Sequence, residues 1–261
     1  MKRLTAVSAL AGLLLLAACS PAPPSPDSTD AAEATPAQPS ASAPAVVTAA
    51  ERPDPAGSCL SIDLDAATAT GAQLGTCFSD ALHVLGTFRA KADMGDEQQQ
   101  SEVRLRPDVA IHGVTTGGDD PNEVVFVDDV AYQNDGTGWV KGDPDSDDSE
   151  KMIVGQAGRV MVAVFSGDVL RESVQACPVW NLLPAREKTT LPDDVVVEAR
   201  VFECAAPYDM FGSTITGSRL LFEQDWTPVG ASSTATGFGQ TVRSEQWWYD
   251  FGTDLEITAP I

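Results

Sequence analysis

Basic residues and histidine are what this chain has least of. Its 261 residues hold 16 lysines and arginines against 38 acidic side chains, and the two histidines are His83 and His112. A formal charge of −22 sets the chain against nucleic acid, whose phosphates demand the opposite sign. Two imidazoles leave few bases for a serine or cysteine nucleophile, and no G-x-S-x-G, H-E-x-x-H or P-loop pattern occurs. There is no C-x-x-C spacing either, which with so little histidine argues against zinc. Carboxylates are so abundant that any pair of them, the requirement of a glycosidase, carries no signal. The chain therefore reads as a binding protein with no catalytic step, no metal and no cofactor.

Long apolar runs are missing too, with one short exception. Lys2 and Arg3 precede an apolar run from Leu10 to Ala18 broken only by Gly12. A spanning helix needs roughly 20 apolar residues, so residues 1–18 read instead as a secretory signal. Leu16-Ala17-Ala18-Cys19 resembles the lipobox of bacterial lipoproteins. That resemblance implies cleavage before Cys19, lipidation of its sulfur, and a protein held by lipid on the extracytoplasmic face of the cell membrane. Two or more acyl chains hold a protein firmly where one holds it marginally. Loss of Lys2 and Arg3 with the signal takes two of the 16 basic residues and moves the charge from −22 to −24. An anionic surface repels such a body, so the anchor must hold it down.

Residues 19–57 lack aromatic side chains and any hydrophobic period, and from Ser20 to Gly57 they hold nine of the 18 prolines and eleven alanines. Such a stretch cannot bury enough surface to offset the entropy of ordering, and reads as a disordered tether. Its reach is at most on the order of 100 Å. Residues 58–261 are enough for a single domain with a real core. Cys59, Cys77, Cys177 and Cys204 make an even number in an exported chain, so disulfides are expected. Three pairings are open, and the sequence-local one closes short loops worth ~3 kcal/mol each in the loop-entropy account.

Hydrophobic spacing organises that domain. Leu74, Cys77, Phe78, Ala81, Leu82 and Leu85 recur at helical steps from Gly71, with His83 beside that apolar face. The period then drops to two in "GTFRAKADM", "EVRLRPD", "VAIHGV" and "EVVFVDDVAYQ", which read as strands, the last ending in hairpin chemistry at Asn134-Asp135-Gly136-Thr137-Gly138. Glu150 to Cys177 reads as two helices, with apolar residues at Ile153, Ala157 and Met161 and at Val160 and Val164, and a joint near Ser166-Gly167. Strands resume at "DDVVVEARVFEC", "SRLLFEQDW", "TVRSEQWWYDF" and "LEITAP". The expected architecture is α+β, one large antiparallel sheet with helices packed on one face.

Asp143, Asp145, Asp147, Asp148 and Glu150 imitate the start of a calcium loop, but Asp148 and Val154 stand where the loop needs glycine and a bidentate glutamate. A solvated acidic loop is the preferred reading, with Ser149 capping the next helix and weak calcium binding as the option.

"LGTFRAKADMGD", "EVVFVDDVAYQNDGTGWVKG" and "WWYDFGTDLEITAP" resemble the actinobacterial LppX/LprG-type lipoproteins of the LolA-like carrier superfamily. The resemblance spans residues 70–261. It implies a curved, half-open barrel plugged by helices, with an apolar cavity for acyl chains. The residues themselves add that "VVFV" (124 to 127) and "VVV" (195 to 197) are apolar on both strand faces, more than a sheet wet on one side requires. Phe88, Val103, Leu105, Val124, Phe126, Val195, Val197, Val201, Trp247 and Trp248 are the candidate ligand-lining residues. Each methylene buried in such a cavity contributes ~0.8 kcal/mol, so an acylated lipid needs shape and no motif. The expected function is a lipid carrier or chaperone; the alternative is a tethered envelope sensor or interaction module of the same fold whose core is filled by its own side chains.

Overall fold

A computed structural model describes residues 57–117, 122–165 and 167–261. The expected signal (1–18), Cys19, all but the last residue of the expected tether (19–57), and Ser166 at the helix joint lie outside the described residues.

The folded part begins with a 3-10 turn at Ser58–Ser61, a short strand β1 (Thr68–Thr70) and helix α1 (Gly71–Leu85). Thr70 and Gln73 start α1 with a reciprocal capping box: Gln73 N donates to Thr70 Oγ1 at 3.2 Å, and Thr70 N donates to Gln73 Oε1 at 3.0 Å. Gly86 ends it with a positive φ of 78°. Leu74, Cys77, Phe78, Ala81, Leu82 and Leu85 are buried as the spacing predicts, and His83 is exposed.

An antiparallel meander follows: β2 (Thr87–Met94), β3 (Glu97–Arg104), β4 (Ala110–Gly117), β5 (Asn122–Val127), β6 (Val130–Asn134) and β7 (Trp139–Lys141). The expected single strand at "EVVFVDDVAYQ" is in fact two. Asp128 and Asp129 both take positive φ, 52° and 61°, and turn the chain back on itself. Short polar side chains tolerate that conformation, so two aspartates do what Asn-Gly does elsewhere.

Helices α2 (Ser149–Phe165) and α3 (Asp168–Gln175) meet at the expected joint. Asp148, and not Ser149, caps α2: its Oδ1 accepts from Glu150 N at 3.0 Å. The buried stripe of α2 is Val154, Gly158, Met161, Val164 and Phe165, so the expected Met161 and Val164 are buried while Val160 is exposed. Gly75 of α1 carries no side chain where α3 crosses; a Cβ there would lie 2.8 Å from the Arg171 carbonyl oxygen.

The remaining strands are β8 (Val179–Leu182), β9 (Glu187–Thr190), β10 (Val196–Cys204), β11 (Tyr208–Met210), β12 (Ser213–Phe222), β13 (Pro228–Gly237) and β14 (Gln240–Tyr249). Among the described residues fourteen strands join one sheet in the order β1-β8-β10-β12-β13-β14-β2-β3-β4-β5-β6-β7, with β9 beside β10 and β11 beside β12. The sheet is not closed. "LEITAP" is no strand; it runs along the sheet, where Arg104 Nη1 donates to the Leu255 carbonyl at 3.1 Å.

All three helices pack on one face. Phe78 of α1 meets Phe222 and Trp248 edge-on, with ring centroids 6.0 and 5.1 Å away, and Phe202 and Trp226 extend the cluster. The opposite face is covered in two places. Leu255 and Ile257 close over Ala110, Val125, Val127 and Tyr132. Leu191, Ala199, Val201, Leu221 and Val229 form a second patch. Both disulfides take the sequence-local pairing, Cys59 with Cys77 and Cys177 with Cys204. The first ties the 3-10 turn to α1, and the second ties the end of α3 to β10.

Truncating Phe78 to alanine removes the ring that joins helix to sheet and leaves a cavity. Urea unfolding of the disulfide-intact protein should show a loss of about 3–5 kcal/mol.

Candidate functional site

The helix-side face of the sheet changes character along its strands. In register across β2 to β6, the first row is Phe88, Val103, Ile111, Phe126 and Ala131, all apolar. One pleat further on, the row from β14 to β6 reads Trp248, Ala90, Ser101, Gly113, Val124 and Gln133. The next, from β13 to β5, is Ala231, Gln246, Ala92, Gln99, Thr115 and Asn122, and beyond it Ser233 pairs with Ser244. An apolar wall thus grades into a lane of amides and hydroxyls. Gln99, Ser101, Thr115, Asn122, Ser233, Ser244 and Gln246 are all buried.

The ten candidate lining residues divide between the two faces. Phe88, Val103, Leu105, Val124, Phe126 and Trp248 belong to the core under the helices. Val197, Val201 and Trp247 belong to the patch on the opposite face. Val195 is 50% exposed, just before β10 begins. The set does not surround one space.

Where the apolar and polar rows meet, Ala90, Ala92, Gln99, Ser101, Gln246 and Trp248 line a cavity of about 10 Å³. That is room for about one water, against the ~300 Å³ at which small-molecule pockets begin. Gln99 Oε1 and the hydroxyls of Ser233 and Ser244 are buried with no hydrogen-bond partner. Gln133 Nε2 donates to Asn122 Oδ1 at 3.1 Å at the far end of the lane.

The charged pairs of the meander lie on its outer face, whereas Arg200 of β10 shares the pleat of Phe202 and lies 5.0 Å over the Trp226 ring on the helix side. Arg89 Nη1 lies 2.8 Å from Asp250 Oδ2, and its Nη2 lies 3.0 Å from Glu102 Oε1. His112 sits between Glu123, with Nε2 2.9 Å from Oε1, and Glu102, with Nδ1 3.8 Å from Oε2. These groups are half-buried, a setting in which such pairs contribute about 1 kcal/mol or less each. The acidic loop is occupied with its own backbone: Asp143 Oδ1 accepts from Asp145 N at 3.1 Å, and Ser146 Oγ from Asp148 N at 3.2 Å. Among the described residues no three histidine, cysteine or acidic side chains are grouped to hold a metal ion. Burial pushes the Tyr208 phenol above its ordinary value, opposed by its hydrogen bond with Ser218, and burial likewise raises Tyr249 against the pull of Arg89.

Sequence reasoning missed the polar lane. The signal was available: carrying the alternation of Val103 and Leu105 backwards lands on Ser101 and Gln99, within a stretch too rich in glutamine to read as strand. Ser233 lies on β13, which is built of small residues with no apolar period, and Ser244 faces it from β14.

No family model matches this chain, and no curated protein matches it. Among solved structures it is similar to the hypothetical protein CT021 from Chlamydia trachomatis, at 8% identity over 74% of this chain and 97% of that one, with a TM-score of 0.34. A likeness at that level decides neither fold nor function.

Ser233→Ala and Ser244→Ala each delete a buried hydroxyl that has no partner. Chemical denaturation should find them neutral or stabilising by up to about 1 kcal/mol. For Tyr208 the sign is set by its raised value: the unfolded phenol ionises first, near its ordinary 10.0, so unfolding then releases a proton. Thermal stability should fall as pH rises past that point, and Tyr208→Phe should flatten the fall.

Proposed function

We propose that this chain is an exported lipoprotein, anchored through Cys19, whose LolA/LppX-like body acts as a tethered interaction module of the cell envelope with a core filled by its own side chains. One observation carries the reading: between α1 and the sheet, where an acyl chain would lie, Phe78, Phe202, Phe222, Trp226 and Trp248 are packed ring against ring. All five are buried. Filling that space with protein stabilises the fold and removes the room that cargo needs. The reading assigns no catalytic step and no cofactor.

A second reading keeps the acylated lipid as ligand. It is favoured by the apolar row Phe88, Val103, Ile111 and Phe126, which is continuous across four strands and belongs to the same core as the buried stripe of α2. Displacing α2 would uncover it as a wall for an acyl chain. The disulfide at Cys177 holds only the far end of the helix pair.

Mass spectrometry of an organic extract of the purified chain, paired with uptake of a fluorescent fatty-acyl probe, separates the two. The interaction module should carry no lipid beyond that bonded to Cys19 and should take up no probe. A stoichiometric extracted lipid, released when Phe126→Asp is introduced, would establish the carrier instead.

A further inference from the structure

Fifteen of the seventeen aromatic side chains are buried or half-buried; Phe211 and Phe238 are the exceptions, 62% and 69% exposed. Both sit at hairpin tips. Phe211 and Gly212 join β11 to β12, and Phe238 and Gly239 join β13 to β14. Thr214 pairs with Thr236, so the two turns lie side by side at one end of the sheet. The ring of Phe238 rests over Gly212, where a Cβ would come within 3.1 Å of its Cζ. Glycine at 212 is what lets the rings share one tip.

Both phenylalanines have positive φ, 48° and 50°, a conformation that favours glycine or asparagine and disfavours an aromatic residue. An exposed ring in a strained turn contributes nothing to the core, and such outliers cluster where a chain makes contacts. The charge pattern points the same way. In a chain with 38 acidic residues, "MFGSTITGS" (210 to 218) and "WTPVGASSTATGFGQTV" (226 to 242) contain no charged side chain. The body as a whole is repelled by an anionic surface, yet the two segments that carry the rings hold no charge, Asp209 two residues before Phe211 being the nearest in sequence, so the rings themselves can enter a lipid headgroup layer without stripping water from a charge.

We propose that Phe211 and Phe238 form a two-ring tip that enters the interfacial zone of the bilayer holding the lipid anchor, the partner being an uncharged or zwitterionic lipid surface. This rests on the reading that Cys19 is lipidated. On that reading residues 19–57, if every residue took the polyproline rise, allow at most on the order of 100 Å between anchor and domain, and an anchor makes the contact effectively intramolecular. The footprint also decides between partners. Two rings are far smaller than the ~800 Å² per side of a stable protein interface, whereas a bilayer interface accepts a small apolar wedge.

The test uses the lipidated full chain in phosphatidylcholine vesicles, with an environment-sensitive fluorophore on Phe238→Cys or, as control, on Asp135→Cys in the turn between β6 and β7. Emission should move to the blue at position 238, lose most of that shift when Phe211→Ala is added, and stay water-like at position 135. Without the anchor, two rings hold less than one acyl chain, so the mature chain from Ser20 should co-sediment only in small part with the same vesicles at high lipid concentration, and that partition should fall about tenfold for each ring replaced by alanine while Phe238→Trp preserves it. The mass of the N-terminal peptide separates the two ideas. An acylated Cys19 with a water-like label at position 238 overturns the tip alone; an unacylated Cys19 overturns the anchoring, and the tip is then judged by ring-dependent sedimentation.

Discussion

The contact of Phe78 with Phe222 and Trp248 is the constraint on which the rest of the architecture hangs. A helix of fifteen residues is marginal in water by itself, and α1 includes two glycines in its first turns. Its stability must come from burying one stripe, and Phe78 is the largest side chain in that stripe. Once α1 is seated, Cys77 on the same helix holds the 3-10 turn, and Gly75 receives α3. Cys177, just past α3, then fastens β10. The order of dependence runs from the aromatic contact outward.

A sheet this wide cannot be stabilised by three helices alone, because they cover part of one face. The second face is buried piecemeal. The segment after β14 lies over the meander, and β10, β12 and β13 share a patch with Trp247 and Tyr249 at its margin. That explains the apolar doublets in "VVFV": Val124 and Phe126 face the helices, while Val125 and Val127 face Leu255 and Ile257. In this strand the apolar residues on both faces record a second covering layer, which is the polypeptide itself, whereas in "VVV" Val195 and Val196 stay 50% and 63% exposed.

The parts that were legible in the sequence are those whose stability comes from regular burial. The helix at Gly71, the joint between α2 and α3 and the strands with β-branched alternation follow from spacing; that the cysteines form disulfides followed from their even number, and which pair with which did not. Three features were not legible, each for a physical reason. Asp128-Asp129 turns the chain through backbone conformations that a run of apolar and acidic residues does not announce. β13 carries "GASSTATG", whose small side chains fit between larger neighbours on β12 and β14 and show no period of their own. "LEITAP" alternates like a strand, yet finds its burial by lying on the sheet instead of joining its ladder. For the candidate site, the apolar wall was readable, and its polar continuation was readable only by carrying the alternation of Val103 and Leu105 backwards, because glutamine and serine at inward positions look like solvent-facing residues.

That polar continuation bears on how the strands find their register. A slip of one residue between β2 and β3 would carry either Arg89 and Lys91 of β2 or Glu102 of β3 to the helix side, and burial of charge forbids it. A slip of two residues keeps every side chain on its own face, so alternation does not oppose it. What opposes it is the gradient along the strand. Moving β3 by one pleat would set Ser101 opposite Phe88 and Gln99 opposite Ala90, pushing hydroxyl and amide toward the apolar row beneath α2. Leaving Gln99 Oε1 and the two serine hydroxyls without partners costs up to about 1 kcal/mol each where they stand. The same groups cost more among rings. The lane therefore weakens the native state a little and the slipped states more, and it is this difference that selects one alignment.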